Sequence, residues 1–558
     1  MSYKLKIQEQ IKKAVSELFG EDNELPNASI ERTKTREHGD VATNIAMVLS
    51  KPQKRNPIDI AEDIKKNIKI DGGLISHIEI AKPGFINIVV GDYALAESLI
   101  EICKQSSGFG FSPPNSKEKV LIEYVSANPT GDMHIGHGRQ AVLGSSLVNL
   151  LKANGHEVSS EFYINDYGEQ IQKLSETSWA IYKKLNNEHY EWKEDFYPED
   201  IILPFVKKIL EKTPLFTAKE KLGEIVKDLI LESQKELLEK CNVKFDKWFS
   251  ETGLHKDKKV DETINKLKEN NLLYEDEGAL WLKAKDMGDV RDRVFIRSDK
   301  RPTYLVADIA YHIDKFNRSG NLITIWGADH HGQEVSLKGG LKALGYDDKK
   351  LEIIFVQLVS LKKDGQEYKM SKRAGTFVTI KELLDEVGVD AFRYFMIESH
   401  TDNRMIFDID LAKKQDKDNP VYYIQYAHAR CCSIFRQISQ TDLKINTEEL
   451  LNQLNQDPTI FMNLFKANNQ EYSATKSLIL KILDFPDEVV QAGKNRAPNR
   501  IANYLKELAT DLHGFYTSCR VISKNNDLTK ARLGLIYATK ITISNGLKIL
   551  GITAPESM

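Results

Sequence analysis

The chain has 558 residues, 41% hydrophobic and 28% charged, a globular composition with room for several cores. Its net charge of −3 announces no generally basic nucleic-acid binder, so an RNA partner would have to meet local lysine-rich faces. No apolar run approaches the roughly 20 residues of a membrane span, "MSYKLKIQEQ" is no signal peptide, and five cysteines without a C-x-x-C pair fit a reducing cytoplasm.

An amphipathic helix comes first, with Ile7, Ile11, Ala14, Val15, Leu18 and Phe19 on one face. Strand alternation follows in "HIEIAKPGFINIVV", on both sides of a Pro-Gly turn. These elements predict a small α/β domain over 1–108, closed by a Gly/Ser/Pro-rich linker near 105–118. "KVLIEYV" then reads as a buried parallel strand, and "GRQAVLGSSLVNLLKANG" as a helix with Val142, Leu143, Leu147, Leu150 and Leu151 inward. With "EFYIND" they make a βαβ unit, and "NLITIW" and "LEIIFVQLVSL" read as further strands. The charged, helical stretch about 170–275 is read as an insertion in a Rossmann-like nucleotide-binding domain over 118–400. From about 420 the pattern is helical, with a stripe of Ile501, Leu505, Leu508, Leu512, Phe515 and Cys519, so 401–558 is expected to be an all-helical bundle.

Between the first strand and helix of the βαβ unit lies "SANPTGDMHIGHGR", residues 126–139, with His134 and His137 around Gly136. Three uses fit this pattern. It is a plain helix start, or half a metal site on one helix face, or a phosphate cradle. In the cradle, helix N–H groups favour an anion, Gly136 admits a flat adenine, and the imidazoles donate to phosphate oxygens. Spacing alone leaves these open. A second string, "KMSKR" at 369–373, follows the turn at Asp364 and Gly365. Read blandly it is a solvated basic loop. Read chemically, it is a loop whose Lys369 and Lys372 close over a triphosphate and neutralise charge at the α-phosphate.

In that order, the two strings resemble the HIGH and KMSKS signatures of class I aminoacyl-tRNA synthetases. "EYVSANPTGDMHIGHGR", "YINDYGEQ", "TYLVADIAYHIDKF", "IWGADHHGQE", "KMSKRAGTFVTI", "DAFRYFMIESH" and "NPVYYIQYAHAR" together resemble the arginyl-tRNA synthetase family over nearly the whole chain. A guanidinium is planar and permanently charged, so its pocket should offer carboxylates in bidentate reach. Glu123 interrupts an apolar run and needs a cation, and Asp308 follows Tyr304 by one helical turn.

The resemblance implies the remaining roles. His134, His137, Lys369 and Lys372 would be catalytic, and Gly136, Asp329, His331, Met370 and Ser371 would bind ATP. Asn128, Tyr304 and Asp308 would hold arginine, joined by Glu123, Ser126 and His330. The N-terminal domain would grip the tRNA elbow through Phe85 and Asn87. The C-terminal helices would bind the anticodon, with Tyr422, Tyr426 and Arg430 as contacts. It further implies L-arginine, tRNA(Arg) and ATP carrying its own Mg2+ as substrates, no structural metal, a monomer, and activation that itself requires tRNA. Two positions depart from the pattern: Gln333 stands where tyrosine is usual, and Arg373 replaces the final serine of KMSKS. The alternatives are a carboxylate-adenylating nucleotidyltransferase of the same fold and a catalytically silent tRNA-binding paralogue. Intact His134, His137 and Lys372 argue against the silent paralogue.

Overall fold

The structure is a computed structural model that describes residues 3–20, 29–33, 38–368, 378–438, 440, 445–454, 456–457 and 459–558. The lysine motif at 369–373, with Lys369, Met370, Ser371, Lys372 and Arg373, lies outside the described residues. In the N-terminal domain, helices Tyr3–Phe19, Ile45–Gln53, Pro57–Asn67 and Asp92–Gln105 pack with an antiparallel sheet. Its strands are β1 (Glu31–Arg32), β2 (Val41–Thr43), β3 (Ile75–Ala81) and β4 (Phe85–Val90), in the order β1-β2-β4-β3. Ile78, Ile86, Ile88 and Val90 alternate into the core, as a half-buried strand requires.

The central domain is built on five parallel strands: β5 (Lys119–Glu123), β6 (Glu157–Ile164), β7 (Lys247–Ser250), β11 (Asn321–Gly327) and β12 (Leu351–Val356). Their order is β12-β11-β5-β6-β7. The chain therefore reverses direction across the sheet between β5 and β11. In open α/β sheets, the crevice beyond the carboxyl ends at such a switch point is where ligands bind. The histidine string leaves the end of β5, and "GADHHGQ" leaves the end of β11.

The insertion expected as one block about 170–275 is divided by β7, which pairs with β6 from Glu161–Lys247 to Ile164–Ser250. Four residues between charged helices are too short to show a period, so the sequence pattern hid this edge strand. Before β7, helices Glu169–Leu185, Glu199–Leu210 and Lys219–Lys240 share a core of their own around Leu174, Ile181, Val206 and Val226. After it comes a small antiparallel sheet of β8 (Leu273–Asp276), β9 (Ala279–Leu282) and β10 (Arg293–Ile296). "LEIIFVQLVSL" also divides, because the chain turns after β12 into β13 (Val359–Lys363). That strand pairs instead with β14 (Gln366–Tyr368) and β15 (Met405–Asp408).

The C-terminal bundle is helical as expected, with long helices Pro420–Ile438, Asn469–Leu483, Asn499–Ser518 and Asn526–Leu550. It also holds the N-terminal domain. Asp484 takes Lys4 Nζ at 2.8 Å and Arg32 at 3.1 Å, while Lys476 Nζ reaches Asp40 at 2.8 Å. The linker is fastened to it as well, since Asn545 Nδ2 donates to Phe109 O at 2.9 Å.

Candidate active site

His134 caps the helix Ile135–Ala153. Its Nδ1 accepts from Gly136 N at 3.1 Å, and its own N–H donates to His137 Nδ1 at 3.3 Å. The rings stack with centroids 3.7 Å apart. With each Nδ1 accepting, a neutral ring carries its proton on Nε2, the atom that would donate to a phosphate. A Cβ on Gly136 would sit 3.0 Å from the His134 ring, and one on Gly138 would sit 2.8 Å from Phe392. The first glycine thus lets the imidazole fold back, and the second lets the helix pack closely.

The turn entering this loop is strained. Val125 and Ser126 have φ of 75° and 47°, a conformation that β-branched valine rarely adopts. Side chains hold it in place. Ser126 Oγ donates to Glu123 Oε1 at 2.9 Å, and Asn165 Nδ2 donates to Ser126 O at 3.3 Å. From the helix, the Gln140 amide, oriented to satisfy both partners, donates to Val125 O at 3.3 Å and accepts from Gly327 N at 3.2 Å, linking the two loops of the switch point. Asn128 follows in the same loop, its carbonyl held by Gln234 Nε2 at 3.0 Å.

Glu123 finds its cation inside the chain: Lys315 Nζ lies 2.8 Å from Oε2, and both side chains are buried. On the neighbouring strand, Glu161 sits opposite Glu123 and is matched by Arg318 through two bonds of 2.6 and 2.9 Å. Helix Tyr304–Arg318 supplies both cations, one turn apart. Nearer its start it presents Tyr304, exposed, and Asp308. Burial, together with the charges of Glu123 and Glu251, pushes the Asp308 carboxyl up to about 7. Such crowding of carboxylates favours a cation. Beside it is a cleft of about 390 Å³ lined by Asp166, Tyr167, Glu251, His255, Tyr304 and Ala307.

The second loop places Asp329 and His330 at the surface with Nε2 3.7 Å from the carboxylate, while His331 stacks on Phe355 at 3.5 Å and Gln333 Oε1 lies 3.4 Å from His330 Nδ1. No group of three or more His, Cys, Asp or Glu side chains among the described residues is arranged to hold a metal ion. Far from the cleft, Phe85 is 39% exposed at the start of β4 but Asn87 is buried, so Phe85 is the one of the two that faces outward. Tyr426 is exposed and stacks at 5.8 Å on His513, Arg430 lies 4.1 Å over Tyr516, and Tyr422 is half-buried on the same helix.

Sequence reasoning did not single out Glu251, Asp166, Gln140 or Lys315. Glu251 and Asp166 follow strand ends, a position that carries ligand groups in parallel sheets, so a correct reading of β7 would have drawn attention to Glu251. Gln140 and Lys315 look like ordinary helix residues.

The switch-point crevice, the capped histidine loop and the helical C-terminal domain define a class I tRNA synthetase. Residues 104–427 match the family model for the class I (R) catalytic domain, 5–90 that for the arginyl tRNA synthetase N-terminal domain, and 424–558 the DALR anticodon binding domain. The chain belongs to the arginyl-tRNA synthetase family. It is 42% identical over 565 aligned positions to an arginine–tRNA ligase of Listeria monocytogenes, covering 99% of both chains. To that of Staphylococcus epidermidis it is 39% identical over 543, covering 96% of this chain and 95% of the relative. The fold of the Thermus thermophilus arginyl-tRNA synthetase superposes with a TM-score of 0.74 at 21% identity, covering all of both chains.

Proposed function

We propose that this chain ligates L-arginine to tRNA(Arg) at the β5/β11 crevice, in two steps. The arginine carboxylate attacks the α-phosphate of ATP, pyrophosphate leaves, and the 2′-hydroxyl of the terminal adenosine then takes the arginyl group from the adenylate. Asp308 and Tyr304 hold the guanidinium and Asn128 the backbone, with Glu123, Ser126 and His330 completing the pocket. His134 and His137 meet the phosphates as charge moves onto the leaving group, Gly136 lies under the adenine, and Asp329 and His331 flank the nucleotide. Lys369 and Lys372, with Met370 and Ser371, neutralise charge on the triphosphate, and Mg2+ arrives with ATP. Positioning and charge stabilisation dominate, since no proton must leave a carbon.

The crowding of Asp308 with Glu123, which ends the strand feeding the histidine loop, and with Glu251 carries this reading. Phe85 and the face of Tyr422, Tyr426 and Arg430 are the tRNA contacts of the two outer domains. Every residue assigned to the pocket comes from one chain, and the proposed enzyme acts as a monomer. Five buried, unbridged cysteines and the absence, among the described residues, of any helix long and apolar enough to cross a membrane support a cytoplasmic enzyme. The test is ATP–pyrophosphate exchange with and without tRNA, with lysine as competitor. Exchange driven by arginine alone among the two supports the assignment. Exchange driven equally by lysine overturns the guanidinium pocket.

A further inference from the structure

Lys315 is fully buried, and its ammonium has three hydrogens and three acceptors. Glu123 Oε2 lies at 2.8 Å, His312 Nε2 at 2.9 Å and Thr324 Oγ1, on β11, at 3.0 Å. His312 can accept because burial and the ammonium itself hold its ring well below the ordinary histidine range, while its Nδ1 donates to Asp308 O at 2.8 Å. The ammonium thus joins β5, β11 and the helix bearing Asp308. Beyond it, Glu123 Oε1 accepts from Ser126 Oγ, and the same oxygen of Ser126 accepts from Tyr163 N at 3.3 Å. Ser126 is the second left-handed residue of the turn that leads to Asn128.

We propose that Lys315 is a positioning residue for the amino-acid pocket: it fixes Glu123, and through Glu123 and Ser126 it sets the strained turn opposite Asp308. This rests on the synthetase reading above. A plain fold-stabilising pair would behave differently, and the same helix supplies one for comparison. Arg318 matches Glu161 one turn further on, but Glu161 makes no side-chain bond to the histidine loop.

The experiment is pyrophosphate exchange in the presence of tRNA, with KM for arginine and for ATP measured separately, on the full-length enzyme. Lys315→Met is expected to raise the arginine KM by about tenfold to a hundredfold, with the ATP KM within about twofold. Arg318→Met is expected to lower the melting temperature while leaving the arginine KM within about twofold. If both variants raise the arginine KM alike, or Lys315→Met raises both KM values in proportion, the positioning role is overturned. Should Lys315→Met fail to fold, Glu123→Gln with Lys315→Met, which buries no lone charge, carries the comparison against Glu123→Gln alone. Similar arginine KM values for those two support the relay, because Lys315 acts only through Glu123; a further large rise in the double variant overturns it. Wild-type exchange that ignores arginine would sink the synthetase reading itself, whatever Lys315 does.

Discussion

Thr379 pairs with His134 in an isolated antiparallel bridge, and Ile380 N donates to Met133 O at 3.1 Å. The chain just beyond the lysine motif is therefore fastened to the backbone of the histidine loop. The helix that starts at Ile380 has its own capping box, with the Thr379 side chain accepting from Glu382 N. Two capped helix starts therefore meet at this point.

His134 caps its helix and is proposed to meet phosphate as well, two jobs that substitution can separate. Asparagine in its place still accepts from the first turn of the helix but removes the imidazole. His134→Asn is expected to hold the melting temperature within a few degrees while exchange falls about a hundredfold to a thousandfold. A variant with nearly full exchange would return His134 to a capping role alone.

Asp308 sets a pH dependence. In the role proposed for it, Asp308 meets a guanidinium only as the carboxylate, so kcat/KM for arginine should fall as pH drops below about 7. The stability sign is opposite. A carboxyl raised from 3.8 to about 7 on folding stabilises the free enzyme fully below 3.8, and that contribution is lost as pH rises through 7. Arginine should therefore raise the melting temperature more at pH 8 than at pH 6. Asp308→Asn should abolish that difference and raise the arginine KM.

Arg393 is buried with no carboxylate in ion-pair contact among the described residues, and burial pulls its guanidinium down to about 10. It donates to Leu550 O, Cys241 O and the hydroxyls of Ser145 and Ser146, so it joins the last helix, the insertion and the histidine helix. Lysine cannot reach those acceptors together. Arg393→Lys is expected to cost about 2–4 kcal/mol in urea unfolding.

Asp484 gathers Lys4 and Arg32 across the contact between the outer domains. Asp484→Asn should raise the KM for tRNA several-fold in aminoacylation, with the arginine KM unchanged. Equal changes in both would place the effect in the catalytic domain instead.

The local elements were legible because their causes are local. β5, its glycine-bearing loop and the helix behind it follow from an apolar run, missing Cβ atoms and a 3.6-residue stripe. Glu123 betrayed its need for a cation, but Lys315 stands 192 residues away and reads as any helix lysine. The left-handed pair Val125 and Ser126 was invisible because neither residue is glycine, and its conformation is imposed by partners on β6 and the helix. β7 escaped because four residues hold no periodicity, and with it went Glu251.

The fastening of the linker to Asn545, with Asp484 and Asp40 bonded across the outer domains, closes the three domains into a ring. Phe85 and Tyr426 thus belong to outer domains that are bonded to each other. On the proposed reading, a tRNA would meet both surfaces as parts of one body, so loosening either fastening would weaken its hold without touching the arginine pocket.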